Sequence, residues 1–155
     1  MRQTAWRIAG LCCLLAGAGC SPLLPTPDKF LRMPEYELDY DYRATSADGV
    51  VLAGRVLTYS RELGGGLPFW VDAIKLRLQA VGGYALIKEV EVQSHGGLTG
   101  KALHFGRDEK RGTYRYWVTL FVDGDDLVVV EAGGPEDKVA TYEAALEAAI
   151  AQVDP

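Results

Sequence analysis

The side chains that do chemistry near neutral pH are few in this chain, and their spacing works against a reaction. His95 and His104 are its two histidines. A paired-histidine metal site needs carboxylates at matching spacing, and neither histidine has them, so no metal ligands are assigned. His95-Gly96-Gly97 has the form of an esterase oxyanion loop, but no Gly-x-Ser-x-Gly turn supplies a nucleophile. Thr99-Gly100-Lys101 echoes a phosphate loop, yet His95 stands where its first glycine belongs and Ala102 where Ser or Thr should follow. Asp123-Gly124-Asp125-Asp126 begins like a calcium loop, but Gly134 takes the place of the bidentate glutamate, and a hairpin turn explains it. Glu35, Glu37, Asp39 and Asp41 form a row that reads as a solvated strand face guarding an exposed edge. Lys101 and Arg115 are isolated cations, and Gly64-Gly65-Gly66 is a flexible connector. No catalytic residue and no cofactor site follow, and the chain reads as a non-enzyme.

Aromatic side chains are the remaining hint of function. Trp70, Tyr116 and Trp117 are the candidate partner-binding residues, because large rings with a polar edge favour interfaces. Core packing is the competing account of the same residues.

Composition limits what the chain can be. Its 155 residues, 48% apolar and 24% charged, suit one folded soluble domain. A net charge of -5 with no cluster of Lys or Arg argues against nucleic acid as a partner and against docking on anionic lipid by a basic patch.

The N-terminus carries an address. Arg2 and Arg7 precede an apolar run from Ile8, and small residues at 16–19 end at Cys20. This is the pattern of a secretory signal peptide over residues 1–19. The run of about 11 residues is too short for a bilayer core that takes about 20 helical residues. Ala16-Gly17-Ala18-Gly19-Cys20 resembles a bacterial lipobox, with Gly17 where an aliphatic residue is usual. That resemblance implies cleavage before Cys20 and acylation of its thiol; ordinary signal cleavage, leaving a free thiol, is the alternative. Cys12 and Cys13 leave with the leader, so no disulfide can form within one processed chain. Ser21 is not the aspartate that marks inner-membrane retention in such lipoproteins, and the resemblance therefore implies the outer membrane. Removing residues 1–19 also removes two arginines, leaving 14 basic against 21 acidic side chains and a charge of -7.

Pro22, Pro25 and Pro27 forbid regular pairing, so residues 20–33 are expected to form a tether, with a single domain over 34–155. Strict alternation over 35–42 predicts a half-buried strand, and Ala47-Asp48-Gly49 a hairpin turn before a return strand over 50–59. Trp70, Ala73, Ile74, Leu78 and Val81 predict one face of a helix that Pro68 starts and Gly82-Gly83 stops. Strands follow over 86–93, 100–105, 114–122 and 127–132. The third is apolar on both faces, as a central strand must be. His104 lies between inward-facing Leu103 and Phe105, and so points the other way. Pro135, Glu136 and Asp137 open a last helix with Val139, Tyr142, Leu146, Ala149, Ile150 and Val153 on its buried face. The order ββαββββα, with short links, predicts an α+β fold: a mostly antiparallel six-stranded sheet flanked by two helices.

The run 70–81 with Gly83-Tyr84, the strand pair broken at Gly96-Gly97 and Gly100, and the stretch from Tyr114 through the 123–126 turn to Gly134 and the closing helix resemble the PsbP-like superfamily, which includes DcrB-type lipoproteins and Ran-binding Mog proteins. Cystatin-like and other α+β folds are the alternatives. The resemblance spans roughly residues 35–153 and implies a binding or accessory protein, with no functional residue carried over. Taken together, the expectation is a non-enzymatic, lipid-anchored envelope protein, facing the periplasm, that binds a protein partner or supports a complex. A chaperone or adaptor holding apolar segments and a small periplasmic hydrolase are the competing readings.

Overall fold

The computed structural model describes residues 23–34, 39–60 and 64–154. The leader over 1–19 and Cys20 lie outside the described residues, as do Glu35 and Glu37. The elements are β1 (Phe30–Arg32), β2 (Tyr42–Ser46), β3 (Val51–Thr58), α1 (Leu67–Ala80), β4 (Ala85–Gln93), β5 (Thr99–Glu109), β6 (Gly112–Asp123), β7 (Asp126–Pro135) and α2 (Glu136–Ile150). They build one sheet in the order β1-β2-β3-β7-β6-β5-β4, with every neighbouring pair antiparallel. Among the described residues the architecture is the expected α+β sheet with two helices, with seven strands where six were expected.

β6 holds the middle of this sheet because its two faces suit two different cores. Trp117 and Phe121 pack with Val128, Val130 and the apolar face of α2. Val118 and Leu120 pack on the other side with Leu103, Phe105, Val129 and Val71 of α1. Two-residue alternation thus serves one helix on each side of a shared strand.

Each helix begins and ends where its residues dictate. Pro68 sits in the first turn of α1, where its missing N–H costs nothing. At the other end Gly83 adopts φ +66, and the Tyr84 N–H reaches back to the Leu78 carbonyl at 3.1 Å. Val81 was expected on the buried stripe. It caps the helix instead and is 82% exposed, because the chain turns away before another helical turn can carry it to the sheet. In α2 the acidic Glu136 and Asp137 face the positive end of the helix dipole, and Val139, Tyr142, Leu146, Ala149 and Ile150 are all buried.

The largest departure lies in the proline-rich stretch. Residues expected to hang as a tether are packed from Leu23 onward. Leu24 is fully buried and Leu23 nearly so. The Asp154 N–H donates to the Leu23 carbonyl at 3.3 Å. The Tyr42 hydroxyl donates to Thr26 Oγ1 at 3.1 Å, and the Phe30 ring meets Tyr142 edge-on at 5.2 Å. Phe30–Arg32 then pairs with β2 as the seventh strand. Pro25 and Pro27 precede that strand, so they remove no ladder donor.

Half of the expected strand, residues 35–38, lies outside the described residues. Of the rest, 39–41 are in no strand, the described pairing runs from Tyr42 to Ser46, and Asp39 is exposed. Asp41 has a local duty there, its carboxylate accepting the Val56 N–H at 2.7 Å.

The helices are offset across the sheet. α2 lies over β6 and β7, and α1 over β4, β5 and β6. Part of each face is left open: β4 and β5 on the α2 side, and β2, β3 and the Glu131–Gly133 end of β7 on the α1 side.

Candidate binding clefts on the two sheet faces

On the α2 side the register of β4, β5 and β6 lays out three rows of side chains: Lys88, His104 and Trp117; then Val90, Ala102 and Thr119; then Val92, Gly100 and Phe121. The middle column carries small residues at two of its three places, so the sheet is dented along β5. The Phe121 ring fills the dent at Gly100, where a Cβ would come within 2.5 Å of it. Over Ala102 it stays open. Two cavities of about 260 and 220 Å³ meet along this trough at Lys88, His104 and Trp117. Ile150 and Ala151 of the α2 end close the inner one, and Glu136 and Glu143 border the outer one.

Two polar side chains sit inside the trough. Thr119 is 1% exposed, and its Oγ1 has no hydrogen-bond partner. The His104 ring stacks on Trp117 with centroids 4.3 Å apart. Burial, with the nearby charges of Lys88 and Arg115, lowers its pKa to about 4, so it is neutral at pH 7. Among the described residues neither His95 nor His104 has a side-chain hydrogen bond to an acid or a nucleophile. His104 points away from Leu103 and Phe105, as expected from alternation.

The open part of the α1 side is a cleft of about 320 Å³ lined by tyrosines. The Tyr116 hydroxyl donates to the Glu131 carboxylate. Burial first, and then that carboxylate, push the Tyr116 pKa far up, so its proton is fixed. Tyr40 is shifted the same way by burial and Glu131. The Arg55 guanidinium lies 5.4 Å from the Tyr40 ring, and Arg107 lies 4.6 Å from that of Tyr84. Arg115 also borders the cleft and is paired with Glu136. The result is a polar, aromatic surface around one acid, able to donate and stack.

The three candidate aromatics are therefore not one site. Tyr116 belongs to the tyrosine cleft, and Trp117, its neighbour in β6, faces the trough on the opposite side. Trp70 packs beneath α1, edge-on to Tyr59 at 5.3 Å and to Phe69 at 5.2 Å. Ala102, Thr119 and Glu131 were not singled out as site residues from the sequence, since only the strand register gives them their neighbours. Among the described residues no group of three or more His, Cys, Asp or Glu is placed to hold a metal ion. None of the helices described is long and apolar enough to cross a membrane.

Solved structures share this arrangement. The cyanobacterial PsbP protein CyanoP from Synechocystis sp. PCC 6803 superposes with a TM-score of 0.56 at 12% identity, over 92% of this chain and 96% of that one. The fold is PsbP-like. LpqN of Mycobacterium tuberculosis, described as involved in cell envelope biogenesis, matches with a TM-score of 0.59 at 15% identity over 81% of this chain and 78% of its own. The Ran-binding protein Mog1p of Saccharomyces cerevisiae matches at 0.51 and 15% identity over 83% and 82%. At such identities the likeness is one of fold. No family model matches the chain, and no curated protein matches its sequence.

Proposed function

We propose that the chain is a lipid-anchored protein of the cell envelope, held by an acyl group on Cys20 at the periplasmic face of the outer membrane, and that it binds a protein partner without catalysing a reaction. The observation that carries the binding is the tyrosine cleft. Tyr and Arg are the residues that interfaces favour, and here Tyr40, Tyr84, Tyr114 and Tyr116 gather with Arg43 around Glu131 on an open part of the sheet. A PsbP-like fold in proteins that bind Ran or serve envelope biogenesis is in keeping with that role. The lipobox-like end supports the anchor.

Two measurements test the proposal. A photocrosslinking residue at Tyr114 of the full chain in cells is expected to give one discrete protein adduct, absent when the probe replaces exposed Leu57. Smearing without a discrete band, or the same band from both positions, removes the cleft as the contact. Cys20→Ala is expected to move the protein from the membrane to the soluble fraction; a wild-type protein already soluble in the periplasm overturns the anchor.

A further inference from the structure

The trough plays no part in partner binding at the tyrosine cleft, and it has the makings of a separate ligand site. We propose that it binds a single-chain zwitterionic lipid of the lysophosphatidylethanolamine class, the chain lying along β5 and the head between Lys88 and α2. The inner cavity is apolar on several sides, with Val90, Val92, Ala102 and Phe121 from the sheet and Ile150 from the helix. That is the environment an acyl chain needs, and the two joined cavities together are of the size small ligands occupy.

The polar groups match the rest of such a molecule. Lys88 stands at the junction of the two cavities and has no ion pair among the described residues. Across the trough, Glu143 borders the outer cavity and Glu147 the inner one. A cationic lip facing an anionic lip suits a head with both signs, the phosphate at Lys88 and the ammonium at the glutamates. Thr119 lies one row further in than Lys88 and two strands across, so their backbones are about 12 Å apart, a span that the extended Lys88 side chain and the glycerol linker cover together. Its hydroxyl, buried at 1% exposure without a partner, meets the glycerol ester there. A buried hydroxyl left unpaired is costly, and the lipid carbonyl supplies what the protein does not. His104, neutral at pH 7, does not compete with Lys88 for the phosphate.

Native mass spectrometry of the full chain, released from maltoside detergent with 1-myristoyl-lysophosphatidylethanolamine, tests the site. One lipid per chain is expected. Thr119→Val should weaken it about tenfold while raising the melting temperature of the lipid-free protein, and Lys88→Glu should weaken it by a similar factor. Tyr114→Ala, in the other cleft, should leave it unchanged, so loss of partner binding and loss of lipid are separable. Ala102→Phe fills the trough and should abolish binding; the two polar variants decide the matter if that protein does not fold. Myristate and lysophosphatidylglycerol distinguish the head: binding either as tightly as the zwitterion overturns the assignment. Absence of any adduct overturns it too, as do an adduct indifferent to Thr119→Val and Lys88→Glu, and displacement of the lipid by an apolar peptide of lower Kd.

Discussion

Within the trough, Thr119 and His104 carry their polarity at different costs. The threonine hydroxyl lacks a partner at every pH, whereas the histidine is penalised only when it gains a proton. In an unfolded chain the imidazole titrates near its ordinary pKa of about 6.5, and in the fold near 4. Between those values the unfolded chain binds more protons, so stability falls as pH falls through that window and is fully retained above it. A single proton sets a ceiling of about 1.4 kcal/mol per pH unit; a ring that is only half buried reaches part of it. His104→Gln is expected to match the wild type at pH 7 and to lose less stability on acidification to pH 5. Chemical denaturation at the two pH values checks this, and parallel losses in both proteins refute it.

The first described residues behave as an element of the fold in their own right. Leu24 fills space between β3 and α2, and its methyl, with that of Leu23, comes to 2.9 Å from where a Cβ on Gly54 would stand. Leu24→Ala should cost about 2–5 kcal/mol, as for other fully buried leucines, whereas Leu31→Ala, at a site 70% exposed, should change stability by less than about 0.5 kcal/mol. Equal midpoints in urea for both variants would show that the segment adds nothing to the core. Sequence pattern misses this element because three prolines dominate the stretch and β1 is only three residues long. Leu23, Leu24 and Phe30, apolar among those prolines, were the signal to weigh. By contrast, β6 and the buried face of α2 were legible, since each shows its period over many residues. The acidic alternation over 35–42 overreached in its described part: period two runs on through 39–41, but those residues are in no strand and the described ladder with β3 starts at Tyr42. The trough could not be read at all, as its shape depends on Ala102 standing between Val90 and Thr119 in a register set by long-range pairing.

For the molecule as a whole, the offset helices leave an aromatic, charged opening on one face and a mostly apolar one on the other. The described chain enters beside its own far end, since Leu23 is bonded to Asp154 just beyond α2. The turn after β5, at Lys110, lies toward the other end of that helix, because Tyr114 pairs with Pro135. With a lipid on Cys20, a fluorophore on Asp154→Cys should be quenched strongly by headgroup-labelled bilayers and one on Lys110→Cys weakly. Equal quenching would mean that the body tumbles freely.

With the proposed acyl group on Cys20, burial of Leu23 leaves only Ser21 and Pro22 between the anchor and the packed body, a leash of about 10 Å at full stretch. Under the proposed anchoring, so short a mooring would deny the protein any search through the periplasm, and a partner for the tyrosine cleft would have to come to the bilayer. It also sets an orientation. Ile150 and Ala151 stop the trough at the end nearest Leu23, so under both proposals a lipid drawn into it would keep its tail pointing toward the leaflet it left.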